Sequence, residues 1–333
     1  MNYSDFIAEK EYQAIDAGFE PNIFEYPRAI FDHQQAIVTW ACRRGRAGVF
    51  MDTGLGKTIV QLTWGDQVQR QTDGYVLLLA PLAVAHQTER EAGKFGISAR
   101  FVADESAIDG PGIYITNYEK LHHFNCEMFA GVILDESSIL KGMDGKMRKL
   151  ITESFSKTPY RLSCTATPSP NDFMELGTQS EFLGIMSQLE MLAMFFIHDT
   201  AGGTGDWRLK SHGKSKFWKW LSTWCVFMRS PADIGFDADG YDLPPVEYHP
   251  HIIETAPTDS LFVEPAQSLM ERNQARRETV RARCELAAEI VNSLDSPAVV
   301  WCNLNDESAL LAELIDGAVE VKGSDKPEHK TSS

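Results

Sequence analysis

Residues 51–58 read Met-Asp-Thr-Gly-Leu-Gly-Lys-Thr and directly follow the short apolar run 47–50, which reads Ala-Gly-Val-Phe. The apolar run predicts a buried strand. Gly54 and Gly56 let the backbone curl after that strand, so that successive N–H groups point at the oxygens of a phosphate. A strand that leads into a glycine turn of this kind predicts a binding site for a nucleoside triphosphate.

The residues after the glycine turn complete the phosphate site. Lys57 brings a positive charge to the terminal phosphates, the Thr58 hydroxyl group can bind magnesium, and the helical pattern at 58–64 adds a helix N-terminus. The strict pattern begins with glycine, whereas this sequence has Met51, and a chance Gly-x-Gly-Lys-Thr in a loop is the alternative. The flanking strand and helix disfavour that alternative. We expect the nucleotide to contact Asp52, Thr53, Gly54, Leu55, Gly56, Lys57 and Thr58.

Composition restricts the class of protein. A length of 333 residues predicts about two domains. The 31 basic and 47 acidic residues give a net charge of −16, so any nucleic acid must be bound by a local basic patch. Six scattered cysteines without a C-x-x-C pair argue against a zinc ribbon and favour a reducing compartment. Because neither a signal peptide nor a membrane span is predicted, we expect a cytoplasmic protein with no membrane partner.

Four further runs predict strands that are buried on both faces, because each is continuously apolar or β-branched. These runs lie at 75–80, 112–116, 131–135 and 160–165, with helical patterns between them, as at 82–94 and 146–155. Such alternation predicts an α/β fold with a parallel, doubly wound sheet.

The alternation of strand and helix patterns stops after Gly184 and resumes near residue 257, which divides the sequence into three parts. We expect a complete nucleotide-binding domain at 1–184, an insertion and linker at 185–256, and the start of a second α/β lobe at 257–333. In that lobe the pattern predicts a long helix at 260–292, a strand at 298–302, a helix at 306–315 and a strand at 318–321.

An acidic pair, Asp135 and Glu136, follows the apolar run 132–134. Asp135 can hold magnesium through water, and Glu136 can orient and deprotonate an attacking water molecule. An isolated Asp-Glu pair usually belongs to a solvated loop, but the position after a buried strand favours catalysis, with Lys57, Asp135 and Glu136 as the catalytic residues. We expect this pair and the turn at Gly56 to meet at neighbouring strand ends.

Other segments carry side chains that suit a nucleotide-driven motor. Gln34 lies ahead of the loop, where its amide can read adenine through paired hydrogen bonds. Pro81, Thr116-Asn117 and the turn 165–168, Thr-Ala-Thr-Pro, each follow or end a predicted strand. Each signal is weak by itself, and the order and spacing of all of them carry the information.

This set resembles the superfamily-two helicases and translocases, most closely the Snf-type branch found in chromatin remodellers and in many phage and bacterial proteins. The matching segments are His33-Gln34 with Trp40, then 52–58, Ala80-Pro81, 116–118, 135–141, 165–168, Met228-Arg229 with 243–245, and 299–302.

The resemblance implies a P-loop NTPase with two RecA-like lobes, the first complete and the second partial. ATP and Mg²⁺ would be held on the first lobe, with Thr58 and Asp135 on the metal. Thr165, Ala166 and Thr167 would couple the nucleotide state to nucleic acid, whose phosphates Pro81, Thr116 and Asn117 would touch. The implied activity is that of an ATP-dependent helicase or translocase on double-stranded DNA, in the cytoplasm of a bacterial host if the protein is phage-encoded.

The sequence departs from the branch at two places. Ser137-Ser138 stands where the branch carries Ala-His, and the sequence ends at Ser333, before the arginine-bearing motif of the second lobe. An arginine finger contributes on the order of 10³–10⁵ to turnover in related NTPases. We therefore expect this chain alone to bind ATP but hydrolyse it poorly, with a partner chain or a longer reading frame supplying the rest of the lobe.

A basic run without acidic residues, 207–229, contains the candidate DNA contacts Lys214 and Lys219. Its aromatic residues recur at helical spacing, which predicts that most of them are core. The arginines between 272 and 283 form a second basic run on a predicted helix, and both a nucleic-acid contact and a solvated helix face that bridges the lobes are open interpretations.

Two rival functions remain open. One is a non-hydrolysing, ATP-gated DNA-binding module or half of a split motor, which an ATPase assay with and without DNA would separate. The other is a P-loop kinase, against which Gln34 and the segment 163–168 argue. The histidines show no metal-binding spacing.

Overall fold

The computed structural model describes residues 17–141, 145–199, 206–241, 244–253 and 269–322. These residues form two compact units that divide between Leu243 and Pro244. Within the described residues no helix is both long enough and apolar enough to cross a bilayer. All six cysteines are free thiols, and only Cys302 is exposed.

A seven-stranded parallel sheet forms the centre of the first unit. Its strands are β1 (Arg46–Met51), β2 (Tyr75–Ala80), β3 (Ala99–Phe101), β4 (Gly112–Asn117), β5 (Phe129–Asp135), β6 (Tyr160–Cys164) and β9 (Cys225–Met228), in the spatial order β3-β4-β2-β5-β6-β1-β9. The predicted strands are confirmed to within two residues at each end. In β1, β2 and β4 every residue after the first is buried, as continuous apolar runs require in a sheet covered on both sides.

Helices cover both faces of this sheet. They are α1 (Asp32–Arg44), α2 (Lys57–Thr72) and α3 (Leu82–Lys94) on one face, and α4 (Lys146–Ser154), α5 (Leu176–Leu183), α6 (Gln188–Phe195) and α7 (Lys214–Leu221) on the other. Alternate residues of each strand serve the two cores: Val76 and Leu78 pack with the first group, and Leu77 and Leu79 with the second. The first unit is thus a doubly wound α/β sandwich, as expected.

Residues 185–241, expected to form an insertion and linker, are part of the first unit. They supply α6, α7 and an antiparallel pair, β7 (Phe196–Asp199) with β8 (Asp206–Leu209). They also supply β9, which pairs in parallel with β1 from Gly48↔Cys225 to Met51↔Met228. The first unit thus continues beyond residue 184, because the short strand β9 pairs with the edge strand β1 of its sheet.

The aromatic run before β9 is largely core, as its spacing predicted. Phe217, Trp220 and Trp224 are buried among the residues of the second helical layer. Trp218 differs, because 44% of it is exposed, and its ring meets the edge of Phe173 at 5.2 Å between centroids.

The second unit is helical in its described residues. The predicted long helix is present as α8 (Leu269–Glu278) and α9 (Val280–Asn292), with a break at Thr279, and its residues 260–268 lie outside the described ranges. α10 (Asn305–Leu314) confirms the helix predicted at 306–315 and packs on α9 through Cys284 and Leu311.

The strands predicted at 298–302 and 318–321 are wrong, because neither segment pairs with another strand in the described residues. Val299 and Trp301 are 80% and 91% exposed, respectively. An apolar run becomes a stable strand only when a neighbouring strand satisfies its backbone groups and a second layer covers it. Leu243, part of the expected passage into the second lobe, lies outside the described residues.

Candidate nucleotide site

The glycine turn after β1 has the geometry that its sequence predicts. Gly54 and Gly56 have φ angles of +82° and +79°, in the left-handed region that glycine enters without strain. A Cβ atom on Gly56 would lie 2.2 Å from Nε2 of Gln34, so the position also lacks room for a side chain. Leu55 is buried between the two glycines, whereas Asp52, Thr53 and Gly54 are exposed. The buried side chain of Leu55 thus anchors the turn in the protein, while residues 52–54 of the turn are open to solvent.

Lys57 begins α2 and lies under this turn. Its Nζ atom donates to the backbone oxygens of Met51 at 3.1 Å and Asp52 at 3.2 Å. Thr58 follows in the first helical turn and is half-buried. The Asp52 carboxylate accepts a hydrogen bond from the backbone N–H of Thr53 at 2.8 Å, which shapes the start of the turn.

Gln34 braces the turn against α1. Its Nε2 donates to the carbonyl oxygen of Leu55 at 3.0 Å, and its Oε1 accepts from the backbone N–H of Phe31 at 3.0 Å. The side chain is only 3% exposed. Both polar atoms of this amide thus make contacts inside the protein, which hold the phosphate turn to the start of α1, and the adenine pairing expected of Gln34 stays a prediction.

Asp135 ends β5 at the same edge of the sheet. In the register of the three parallel strands, Cys164 of β6 pairs with Val49 of β1 on one side and with Asp135 on the other. The turn and the acidic pair therefore flank the end of β6, which corrects the expectation that they end neighbouring strands. They still share the carboxyl edge of the sheet, where ligands bind in open α/β folds.

The Asp135 carboxylate is buried and held by a glutamine. Nε2 of Gln61, on α2, donates to Oδ1 of Asp135 at 2.8 Å. Burial raises the pKa of Asp135 and the charge of Glu136 raises it further, whereas the Gln61 hydrogen bond and the Lys57 charge lower it; the net pKa lies above its ordinary value. Tyr118 donates its hydroxyl proton to the backbone oxygen of Asp135 at 2.6 Å, which fixes the strand end from the opposite side.

Glu136 has a φ angle of +51°, a left-handed conformation that costs a residue other than glycine about 1–3 kcal/mol. Its Oε2 accepts a hydrogen bond from the hydroxyl group of Thr165 at 3.1 Å. The Thr165 oxygen in turn accepts from the backbone N–H of Thr167 at 3.1 Å, across the half-buried Ala166. The expected base and the expected coupling turn are therefore in direct contact.

Sequence reasoning missed a buried glutamine that extends this contact. Gln179, on α5, donates through Nε2 to the backbone oxygen of Ser137 at 2.9 Å, and its Oε1 accepts from the hydroxyl group of Ser163. No sequence signal links Gln179 to the site. Gln61 did have a signal, since it follows Lys57 by four residues and so lies on the same helix face.

The residues at this edge suit magnesium. Thr58 and Asp135 offer hard oxygen donors, and Mg²⁺ is typically held by one or two protein groups together with phosphates. The described residues contain no cluster of three or more His, Cys, Asp or Glu side chains that could enclose a metal. Oε1 of Gln61 is buried without a hydrogen-bond partner in the described part of the protein, so an acceptor remains there for a metal-bound water molecule.

Two of the expected nucleic-acid contacts are inside the protein. Thr116 is fully buried and Asn117 is 4% exposed, so neither side chain reaches a surface ligand. Both lie on β4, whose carboxyl end continues into the buried Tyr118. Pro81 caps α3 and remains half-buried at the surface beside Leu82, which is 37% exposed.

The other expected contacts lie on α7. Lys214 and Lys219 are exposed, while Phe217 and Trp220 on the opposite face are buried. We call Lys214, Lys219, Trp218 and Phe173 the α7 patch. It combines positive charge with exposed aromatic rings, and Phe173 follows the 165–168 turn by a few residues.

The arginine run on α8 and α9 makes contacts within its own unit. Arg281 pairs with Glu285 at 2.8 Å, and Arg283 pairs with the buried Glu307. Arg281 therefore lies on a solvated face of α9, whereas Arg283 joins α9 to α10.

A cavity of about 490 Å³ lies at the outer edge of β9, between α1 and α7. Trp40, Trp218 and Phe227 line it, and its lining includes no basic or acidic side chain. It is therefore unsuited to the phosphates of a nucleotide.

Comparison with known proteins finds a matching family model and similar solved structures. Residues 31–176 match the family model of the DEAD/DEAH box helicases. The SWI2/SNF2 ATPase core of Sulfolobus solfataricus in complex with dsDNA is similar at a TM-score of 0.51 and 21% identity, over 66% of this chain and 47% of that one. The same organism's SWI2/SNF2 ATPase core domain gives 0.50 and 20%, over 68% and 48%.

The chain thus spans about half the length of these solved structures. No curated protein matches it. The first unit is a P-loop NTPase domain with a RecA-like parallel sheet.

Proposed function

We propose that this protein is an ATP-dependent motor that uses ATP hydrolysis to move along double-stranded DNA. The observation that carries the proposal is the convergence at one sheet edge of Lys57, the pair Asp135–Glu136 and Thr165, with Thr165 in contact with Glu136. A protein that binds nucleotide without hydrolysing it needs the first of these groups. It does not need a second carboxylate beside the buried Asp135 that contacts a distant turn.

The phosphate turn and Lys57 bind the triphosphate. The N–H groups around Gly54 and Gly56 face the phosphates, and the ammonium group of Lys57 exchanges its carbonyl partners for phosphate oxygens. Thr58 and Asp135 would hold Mg²⁺, and the bound ion would supply positive charge against the charge that develops on the transferred phosphoryl group. Gln34 keeps the turn in place through its contact with Leu55.

Glu136 is the general base. It orients the attacking water molecule and accepts its proton, a role that contributes about 10²–10⁴ to the rate in enzymes. Because Thr165 donates to the same carboxylate, the hydrogen-bonding state of Glu136 is communicated to the turn 165–168. That turn leads towards Phe173 of the α7 patch, which is a route from nucleotide to nucleic acid.

The α7 patch is the proposed DNA contact on the first unit. Lys214 and Lys219 would neutralise phosphates, and they form a local basic patch on a protein whose net charge is −16. The choice of duplex DNA is supported by the S. solfataricus relative, which was solved with dsDNA.

Steady-state ATPase assays with and without duplex DNA test the proposal. The turnover of this chain alone should be low, as expected from its sequence, but DNA should raise it. Lys57→Ala should abolish nucleotide binding, and Glu136→Gln should retain binding but lose at least about 10²-fold of that turnover. Glu153→Gln, a change at an exposed carboxylate on α4, is the matched control and should leave turnover unchanged. Normal hydrolysis by Glu136→Gln would refute the assignment of the base, and nucleotide binding without any turnover would identify an ATP-gated binding module instead.

A further inference from the structure

We infer that Gln61 is a positioning residue for magnesium, which orients the Asp135 carboxylate so that the metal and the nucleotide bind together. The inference rests on the proposed function and deepens it, because it assigns part of the Mg²⁺ dependence to a residue outside the loop and outside the acidic pair.

The placement of Gln61 is the first reason. It lies one helical turn beyond Lys57 on α2, so its side chain shares the helix face that meets the ends of β5 and β6. It is 1% exposed and Asp135 is 8% exposed. Water therefore has little access to the contact between them, and an amide that cannot be replaced by water fixes its partner more firmly than an exposed one.

The hydrogen-bond inventory is the second reason. The 2.8 Å contact uses one lone pair of Oδ1, and an ionised carboxylate offers about four such sites, so capacity remains for a metal-bound water molecule. Gln61 holds Oδ1 of the Asp135 carboxylate, and Tyr118 separately holds the backbone carbonyl oxygen of the same residue, so both the side chain and the strand end are fixed. A carboxylate held in this way loses little rotational freedom when the metal binds.

The unused end of the amide is the third reason. Oε1 of Gln61 is buried and has no protein partner in the described ranges, although a buried polar atom without a partner is costly. A residue kept only for packing would not need an amide at this position. A metal-bound water molecule between Thr58 and Asp135 would supply the missing donor.

The chain contains a matched control on the same helix. Gln67 is 2% exposed, its Oε1 accepts from the backbone N–H of Asn22 at 2.9 Å, and its Nε2 has no described partner. It is therefore also a buried glutamine with one contact made and one polar atom unpaired. It differs from Gln61 in being far along α2 from the acidic pair.

The experiment compares Gln61→Met and Gln67→Met with the unchanged protein. Methionine keeps the length and volume of the side chain and removes the amide. Binding of a fluorescent ADP analogue is titrated with Mg²⁺, repeated in EDTA, and accompanied by thermal denaturation. Gln61→Met should raise the half-saturating Mg²⁺ concentration about 10–100-fold, the usual effect of losing a residue that orients a metal ligand, and leave binding in EDTA unchanged. Gln67→Met should alter neither quantity.

Three results would overturn the inference. The first is a half-saturating Mg²⁺ concentration of Gln61→Met within about two-fold of that of the unchanged protein, which is less than such a residue should cause. The others are the same rise of that concentration in Gln67→Met, or a loss of nucleotide binding by Gln61→Met that is as large in EDTA as in Mg²⁺. If Gln61→Met does not fold, Gln61→Asn is measured instead, since it keeps an amide but withdraws it by one methylene group. Failure of both to fold would assign Gln61 to structure alone. Nucleotide binding that ignores both Mg²⁺ and Lys57→Ala would refute the proposed function itself, whereas Mg²⁺-dependent, Lys57-dependent binding untouched by Gln61→Met would refute only this inference.

Discussion

Replacing Gly56 by alanine tests whether the phosphate turn is held by Gln34. Alanine at a φ of +79° costs about 1–2 kcal/mol from backbone strain alone. Its Cβ would also lie 2.2 Å from Nε2 of Gln34, so the amide must move and abandon the Leu55 oxygen. A buried polar group left without its partner costs about 1–3 kcal/mol, which brings the expected loss for Gly56→Ala to about 2–5 kcal/mol.

Gly54→Ala is the matched control for this loss. Its φ of +82° is nearly the same, but no atom lies within 4 Å of the added Cβ. Gly54→Ala should therefore cost only the strain of about 1–2 kcal/mol. The difference between the two variants isolates the collision with Gln34 from the conformational cost that both share.

A double-mutant cycle with Gln34→Ala completes the test. Once the amide is removed, Gly56→Ala should cost only the strain of about 1–2 kcal/mol, so the coupling between the two positions should be about 1–3 kcal/mol. The assay is urea denaturation of each variant, with the free energy of unfolding taken from the transition of the first unit. Equal losses for the two glycine variants, or an undiminished cost of Gly56→Ala beside Gln34→Ala, would refute the idea that Gln34 braces the turn.

Three further outcomes are expected. Thr165→Val keeps the shape of the side chain but removes the hydroxyl donor to Glu136. It should lower DNA-stimulated turnover about 10-fold or more with unchanged nucleotide affinity, because hydrogen bonds to charged groups contribute about 1.5–3 kcal/mol. Unchanged turnover would show that the turn 165–168 does not contribute to catalysis. Lys214→Gln combined with Lys219→Gln should weaken duplex binding and flatten the plot of log affinity against log salt by about 1.8, since each phosphate contact contributes about 0.9; an unaltered slope would reject the α7 patch. Thr116→Val should raise the free energy of unfolding by about 1 kcal/mol by removing a buried hydroxyl group that has no described partner, and should leave DNA affinity unchanged; a loss of affinity would restore Thr116 as a contact.

The strands and helices of the first unit could be predicted because the sequence patterns that indicate them span only a few neighbouring residues. The strand at 75–80 and the helix at 82–94 have the predicted bounds, since a continuous apolar run and an amphipathic repeat each report directly on their surroundings. The same logic failed at 298–302, where an equally apolar run has no strand beside it. At Cys225–Met228 the structure has a strand that the pattern did not predict. Four residues are too few to indicate a strand by themselves, and this segment becomes one by pairing with β1.

The glycine turn, the lysine that follows it and the acidic pair at a strand end could be read from the chain because each depends on residue type within a few positions. The polar contacts that orient these groups depend on distance through space. Gln61 reaches Asp135 across 74 residues, and Thr165 reaches Glu136 across 29, because parallel strands bring their carboxyl ends to one edge whatever separates them in sequence. Burial was likewise decided in three dimensions: it removed Thr116 from the surface and exposed Trp218, since only the packed layers determine which face of each element water can reach.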